Sequence, residues 1–94
     1  MSEKNFVNVR AGYKGRITIL QSKVQHANEE SIKAILHEVL TTQEKIKHLD
    51  EEILFTFDNE KDVTNEIGKS IQYHDNVNAL IDDLKSRLPS GENF

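Results

Sequence analysis

The sequence contains no cysteine, only one proline and four glycines among its 94 residues. Without cysteine there can be no disulfide framework, no thiolate zinc site and no thiol nucleophile. Apolar runs are short, and even Ile53, Leu54 and Phe55 make a run of only three, so no segment is expected to cross a bilayer. The first residues also lack the basic and then apolar profile of a secretory signal. These absences predict an intracellular, cytoplasmic protein.

What the chain does contain favours a small helical domain. Ile, Leu, Val and Phe make up 27 of the 94 residues, enough to build a hydrophobic core. Charged residues reach 30%, aromatics are few, and glycine and proline are scarce, which is a composition typical of helices rather than of a β-sandwich. The length corresponds to one domain. We expect a single all-α domain over residues 1–88 and a disordered tail at 89–94.

Apolar residues recur at alternating spacings of three and four, the period of one helix face. This pattern predicts three helices, at about residues 5–26, 29–55 and 59–88. The stripes on these helices supply a candidate association or core seam, which consists of Tyr13, Ile17, Leu20, Leu49, Ile53, Ile67, Ile71 and His74.

Several residues indicate where these helices begin and end. Asn28 is a plausible N-cap for the second helix, either Asp58 or Asn59 can cap the third, and Pro89 ends it. Gly12 and Gly15 weaken the first helix, which we expect to be one helix with a soft start. Because neither glycine nor proline separates the first two helices, a bent continuous helix is the alternative.

The second and third helices would each be about 40 to 45 Å long, which is unusual for so short a chain. We therefore expect an elongated, antiparallel three-helix bundle with coiled-coil-like packing. Such a bundle has a thin core and a high ratio of surface to volume. Long thin bundles often gain stability by associating, so a dimer or larger assembly is expected.

The histidines do not suggest a metal site. His26, His37 and His48 recur every eleven residues, so neighbours lie about 16 Å apart along a helix axis and cannot share one ion. Glu44, His48 and Glu52 share one helix face, but surface charge pairing explains that spacing better. We expect no metal and no other cofactor.

His74 differs from the other histidines because it falls on the apolar stripe of the third helix. The simpler interpretation is a partly buried imidazole that is hydrogen-bonded to a neighbour. The alternative is a pH-responsive seam, in which protonation of a desolvated imidazole loosens the packing around it.

Catalytic motifs are lacking as well. No serine or threonine lies in a Gly-x-Ser-x-Gly elbow or another activating setting. The segment from Gly12 to Gly15 has too few glycines for a phosphate loop, and the strands that a KH-type Gly-x-x-Gly loop requires are not predicted. We expect that the protein is not an enzyme.

Charge is distributed unevenly along the chain. Residues 1–25 hold five basic groups and one acidic group, or +4, whereas residues 26–94 hold seven basic and fifteen acidic groups, or −8. Such a basic segment can bind nucleic acid, or it can lie against acidic helices or a neighbouring subunit. The second interpretation is favoured because the basic segment also carries core-type residues. The candidate basic interaction face consists of Lys4, Arg10, Lys14, Arg16 and Lys23.

Three segments together resemble a known family. They are a basic-Gly-basic-hydrophobic-Thr opening, a Leu-acid-acid-Ile segment and an acidic helix with a Tyr-x-Asp element, here within Arg10–Thr18, Leu49–Ile53 and Glu66–Asp75. In this order, over most of residues 8–88, the chain resembles the helical Gag-like domain of BEL/Pao-type retrotransposon polyproteins. The resemblance implies a domain that contributes to particle-like self-assembly, or a host gene derived from one. Ile19 stands where the family often has a second basic residue, which weakens a basic-patch role.

Three classes of function follow from these observations. The leading hypothesis is a structural, self-associating helical module, so the expected partner is a second copy or another helical protein. The second is an adaptor-like bundle that presents a groove to a partner helix, with an exposed apolar patch around Phe55 and Phe57. The third is an RNA-binding module that uses the basic first helix. The resemblance carries over no protease, reverse transcriptase or zinc-knuckle activity, because those segments are not in this sequence.

Overall fold

The computed structural model describes residues 3–89, with side chains from residue 5 onward. Within that range the chain forms three α-helices and no strand. The helices are α1 (Glu3–Ser22), α2 (Glu29–Leu54) and α3 (Glu60–Ser86), and a 3₁₀ turn at Val24–His26 lies between the first two. Helix α2 packs against both α1 and α3. The all-α three-helix bundle is therefore confirmed, whereas the predicted tail beyond Pro89 lies outside the described residues.

The helix boundaries follow from capping side chains. The Oδ1 atom of Asn28 accepts a hydrogen bond from the Ser31 N–H at 2.8 Å, and Asn59 accepts one from the Asp62 N–H at 2.8 Å. These bonds satisfy backbone donors that would otherwise lack a partner in the first turn of each helix. Helix α1 ends at Ser22, four residues before the predicted end, and the chain turns through the 3₁₀ segment to an extended Ala27. The first two helices are thus separate rather than one bent helix.

The apolar core occupies the part of the bundle where α1 ends, α2 begins and α3 ends. Leu36, Val39, Ile46 and Leu84 are completely buried there, among apolar side chains from all three helices. The bundle measures 47 × 20 × 19 Å and has a radius of gyration of 15.2 Å. A compact domain of this length would have a radius of gyration of about 12 Å. The molecule is elongated, as expected.

Helix α1 runs without interruption through Gly12 and Gly15, so replacing either glycine by alanine should stabilise the protein. A Cβ atom added at these positions would meet no atom within 4 Å. Each substitution should raise the free energy of unfolding by about 1 kcal/mol, because alanine loses less backbone entropy in a helix. Urea denaturation followed by circular dichroism measures this change. The reverse substitution at the neighbouring exposed Ala11, Ala11→Gly, should lower stability by a similar amount, and a gain there would contradict the explanation.

Candidate functional site

A layer of polar side chains crosses the bundle near the end where α2 stops and α3 begins. It contains Arg10 of α1, Asp50 of α2 and three residues of α3, Glu66, Ser70 and His74, and we call it the polar layer. The Arg10 Nη1 atom donates to Asp50 Oδ1 at 2.8 Å and to Glu66 Oε1 at 2.5 Å. The other Asp50 oxygen, Oδ2, accepts from Ser70 Oγ and bonds His74 Nε2, each at 2.8 Å. The polar layer therefore ties all three helices together.

Local helix geometry places these groups. Glu66, Ser70 and His74 are four residues apart, so they lie on one face of α3, and this face is turned toward Arg10 and Asp50. Burial raises the pKa of Asp50, but hydrogen bonds from His74, Arg10 and Ser70 outweigh it, so the pKa lies below its usual value. Asp50 is thus held as a carboxylate at the centre of the layer.

A second set of hydrogen bonds extends the layer toward the apolar core. The Nε2 atom of the buried Gln43 lies 3.3 Å from His74 Nδ1 and donates to Asn78 Oδ1 at 3.1 Å. An imidazole that donates from Nε2 to Asp50 can accept at Nδ1 from Gln43, so both ring nitrogens have a partner. The simpler interpretation of His74, a half-buried and hydrogen-bonded histidine, describes this geometry.

Lys14 and Tyr73 form the edge of the layer between α1 and α3. The Lys14 Nζ atom lies 4.3 Å from the centre of the Tyr73 ring, within the range of a cation–π contact. Burial, together with the charge of Arg10, lowers the pKa of Lys14. Burial also raises the pKa of Tyr73, and the negative charge of Asp50 raises it further. Lys14 and Tyr73 therefore contact each other within the bundle and are half-buried.

The bundle divides the predicted basic interaction face instead of presenting it as one surface. Arg10 and Lys14 point inward and are half-buried in the contacts described above. Arg16 lies on another side of α1 and pairs with Glu38 of α2 at 2.6 Å, and Lys23 is exposed near it. The side chain of Lys4 lies outside the described residues.

The predicted seam also separates into two groups. Ile17, Leu20 and Ile53 are buried, and Tyr13, Leu49 and His74 are half-buried. Ile67 and Ile71 instead point outward and are 41% and 58% exposed. The reason is that the polar layer, rather than the apolar stripe, sets which face of α3 is turned inward at this end of the bundle.

These two isoleucines form an exposed apolar surface with the end of α2. Ile67, Ile71 and Leu54 line a groove of about 290 Å³ between α2 and α3, and we call these three residues the α2–α3 strip. Lys47 and Glu51 border the groove, while polar-layer residues form its floor. Phe55, the next residue after α2, is 85% exposed. The exposed apolar patch predicted around Phe55 and Phe57 thus includes Phe55, whereas Phe57 is half-buried, and the contribution of α3 was not predicted.

A second groove, of about 320 Å³, lies between the end of α1 and the start of α2. Its apolar wall includes Ala34 and Ile35, and its basic side chains are Arg16, Lys23 and His26. We call it the α1–α2 groove. It lies on the opposite half of the bundle from Phe55, because Ile35 is in the second turn of α2 and Phe55 follows the last turn.

The hydrogen bonds of the polar layer differ from those of a Ser-His-Asp triad. Ser70 and His74 both bond the same oxygen of Asp50, whereas a catalytic triad requires a bond between the hydroxyl and the imidazole. In the part of the chain that the structure describes, no group of three or more His, Cys, Asp or Glu residues could hold a metal ion. None of the helices described combines the length and apolar character of a bilayer-spanning segment.

Comparisons with protein-family models, with curated proteins and with solved structures give no match for this chain. The resemblance to Gag-like domains therefore stays a prediction from the sequence motifs. The function proposed below is inferred from the surfaces and contacts of the bundle.

Proposed function

We propose that this protein is a non-enzymatic structural module that self-associates through the α2–α3 strip. The observation that carries the proposal is the outward orientation of Ile67 and Ile71 beside Leu54. Apolar residues at this helical spacing normally pack against another helix, and none of the helices within residues 3–89 covers these two. Contiguous exposed apolar surfaces of this kind often mark interaction sites.

The arrangement of the strip suits a twofold dimer. In such a dimer the same patch of each copy meets itself, so Ile67 and Ile71 of one copy pack against Ile71 and Ile67 of the other. The strip is bordered by Lys47 and by Glu51, which carry opposite charges. An antiparallel pairing can place Lys47 of one copy opposite Glu51 of the other. These opposite charges at the border attract each other, although two whole copies, each with a net charge of −4, repel.

The elongated shape gives a further reason for association. A bundle 47 Å long and about 20 Å wide buries less of its surface than a compact domain does, so intermolecular burial adds a stabilisation that the single chain lacks. Self-association is also the role that the resemblance to Gag-like assembly domains implies.

Replacing both isoleucines by lysine should abolish the dimer contact that the α2–α3 strip makes. We expect sedimentation equilibrium of the wild-type protein to show species of at least twice its 10.8 kDa mass at high micromolar concentration. The double variant Ile67→Lys/Ile71→Lys should raise the dissociation constant of this dimer contact at least about 100-fold. In a twofold interface both copies bury these side chains, so four isoleucines are lost per dimer. Lysine is a good helix former, so α3 should retain its circular dichroism signal.

Ile19 provides a matched control for the double variant. It is 50% exposed on α1, away from the strip, and Ile19→Lys introduces the same charge at a comparable exposure. This variant should associate as the wild type does. A wild-type protein that stays monomeric over the whole concentration range would refute self-association, and an equal effect of Ile19→Lys would show that the strip is not its location.

A partner helix in the same groove is the second candidate, because acidic groups exceed basic ones around it. Glu51, Asp50 and Glu66 line the groove against Lys47. Arg10 pairs with Asp50 and Glu66, so one negative charge remains and a weakly basic amphipathic helix would fit. The RNA-binding hypothesis is the weakest, because Arg10 and Lys14 are engaged in contacts within the bundle.

A further inference from the structure

Phe55 is the most exposed large apolar side chain of the bundle, at 85%. It directly follows α2, and its backbone N–H still bonds the Glu51 carbonyl, so the ring stands at a helix end rather than in a long loop. Three acidic residues, Glu51, Glu52 and Asp58, lie within four positions of it in the sequence. The bundle therefore presents an aromatic ring with an acidic surround at this end.

The α1–α2 groove has the complementary character. The buried side chains of Leu20 and Ile35 and the small Ala34 give it an apolar floor, and its volume of about 320 Å³ exceeds that of a phenyl ring. Arg16 and Lys23 lie along it, and Glu38 offsets only the charge of Arg16, to which it is paired. The groove therefore has room for an aromatic ring, and its uncompensated positive charge at Lys23 is opposite in sign to the carboxylates around Phe55.

A molecule cannot fill this groove with its own ring. Ile35 and Phe55 are separated by twenty residues of α2, which corresponds to about 30 Å along the helix axis. The bundle has no hinge between them, because α2 is a single continuous helix. A ring that occupies the groove must therefore come from another molecule.

We infer that Phe55 of one copy inserts into the α1–α2 groove of the next copy, in a head-to-tail contact that joins the bundles end to end. The inference rests on the proposed function, self-association, and adds to the α2–α3 strip a second contact of another symmetry. A contact between two different surfaces forms a closed ring or an open chain, depending on the rotation between copies. In the end-to-end arrangement each pair keeps one free ring and one free groove, so assembly continues beyond the dimer. Together with the strip, this contact would link dimers into larger assemblies.

The test uses two variants that each remove one half of the contact. Both are made in the Ile67→Lys/Ile71→Lys background, so that the strip cannot contribute. Phe55→Ser removes the ring, and Ala34→Glu places a carboxylate in the groove, where it excludes a ring with an acidic surround. Ala34 is exposed and glutamate is a good helix former, so folding should be unaffected.

We expect the background protein to show a weight-average mass that rises with concentration and passes the dimer mass without a plateau. Phe55→Ser and Ala34→Glu should each lower the association constant of the background protein at least about tenfold. An equimolar mixture of the two variants should instead form a 1:1 dimer that grows no further, because only one intact ring and one intact groove are present in each pair. Ala79→Glu, at an exposed position of α3 outside both surfaces, is the matched control and should leave chain growth intact.

The outcomes separate this inference from the proposed function. In one outcome the wild-type mass levels off at the dimer and falls to the monomer with Ile67→Lys/Ile71→Lys but not with Phe55→Ser. That result would overturn the head-to-tail contact and support the strip. Association that is equally strong in the wild type and in the background, and that Phe55→Ser abolishes, would support the inference while refuting the strip. A groove that binds inorganic phosphate or RNA, with no change of mass caused by Phe55→Ser, would also overturn it.

Discussion

A Leu36→Ala variant should lose about 3 to 4 kcal/mol of unfolding free energy. Leu36 is completely buried in the centre of the core cluster, with side chains of all three helices around it. Removing its three outer carbon atoms loses their transfer free energy and leaves a cavity that rigid helices fill only in part. A domain of this length typically has about 5 to 14 kcal/mol of stability, so the loss is a large fraction of the total.

Urea denaturation at one fixed protein concentration measures this loss, because association would otherwise shift the apparent stability. Leu40→Ala is the matched control, one turn further along α2, where the leucine is only half-buried against the same core. It should cost about 1 kcal/mol, since fewer of its contacts are lost. Equal losses at the two positions would show that the core is not centred on Leu36.

Much of the architecture could be predicted from short-range features of the sequence. The apolar spacing indicates three helices, and Asn28 and Asn59 cap α2 and α3 where the sequence suggests. Capping depends on side chains within three residues of a helix start, so it can be read locally. The end of α1 was predicted less well, because Val24 continues the apolar pattern although it lies in a 3₁₀ turn.

The inward face of α3 could not be predicted in the same way. Its apolar stripe predicts that Ile67 and Ile71 face the core, yet Glu66 and Ser70 face inward instead. Apolar periodicity assumes that polar groups are solvated, whereas this helix turns its polar face toward Arg10, on a distant helix. One signal was available, namely the spacing of four residues between Glu66, Ser70 and His74.

The arrangement of the basic residues depends on tertiary structure for the same reason. Sequence proximity groups Arg10 and Lys14 with Arg16, but the helix turns them to different sides of α1. Whether a cation is free for a partner depends on the acidic and aromatic groups that other helices bring to it. These groups are distant in the sequence, 22 residues away for Arg16 and Glu38 and 40 for Arg10 and Asp50.

Replacing Asp50 by alanine should lower the unfolding free energy by about 2 to 4 kcal/mol. The substitution leaves Arg10, Ser70 and His74 without their shared acceptor, and losing one partner of a buried ion pair costs about 3 to 5 kcal/mol. The 12% exposure of the Asp50 side chain admits some water, which reduces that loss. Asp75→Ala, at an exposed position of α3, should change stability by less than about 0.5 kcal/mol.

The acid dependence of stability tests the same layer. The pKa of Asp50 is lowered in the folded protein, by hydrogen bonds that outweigh the effect of burial. The unfolded chain therefore binds a proton on this residue more readily than the folded one. The stabilisation is fully present above the unfolded pKa of about 3.9 and is lost as the pH falls below it, toward the folded pKa. Asp50→Asn, which cannot titrate, should give a shallower decrease in urea midpoint below about pH 4, and an unchanged decrease would show that the layer does not hold Asp50 as a carboxylate.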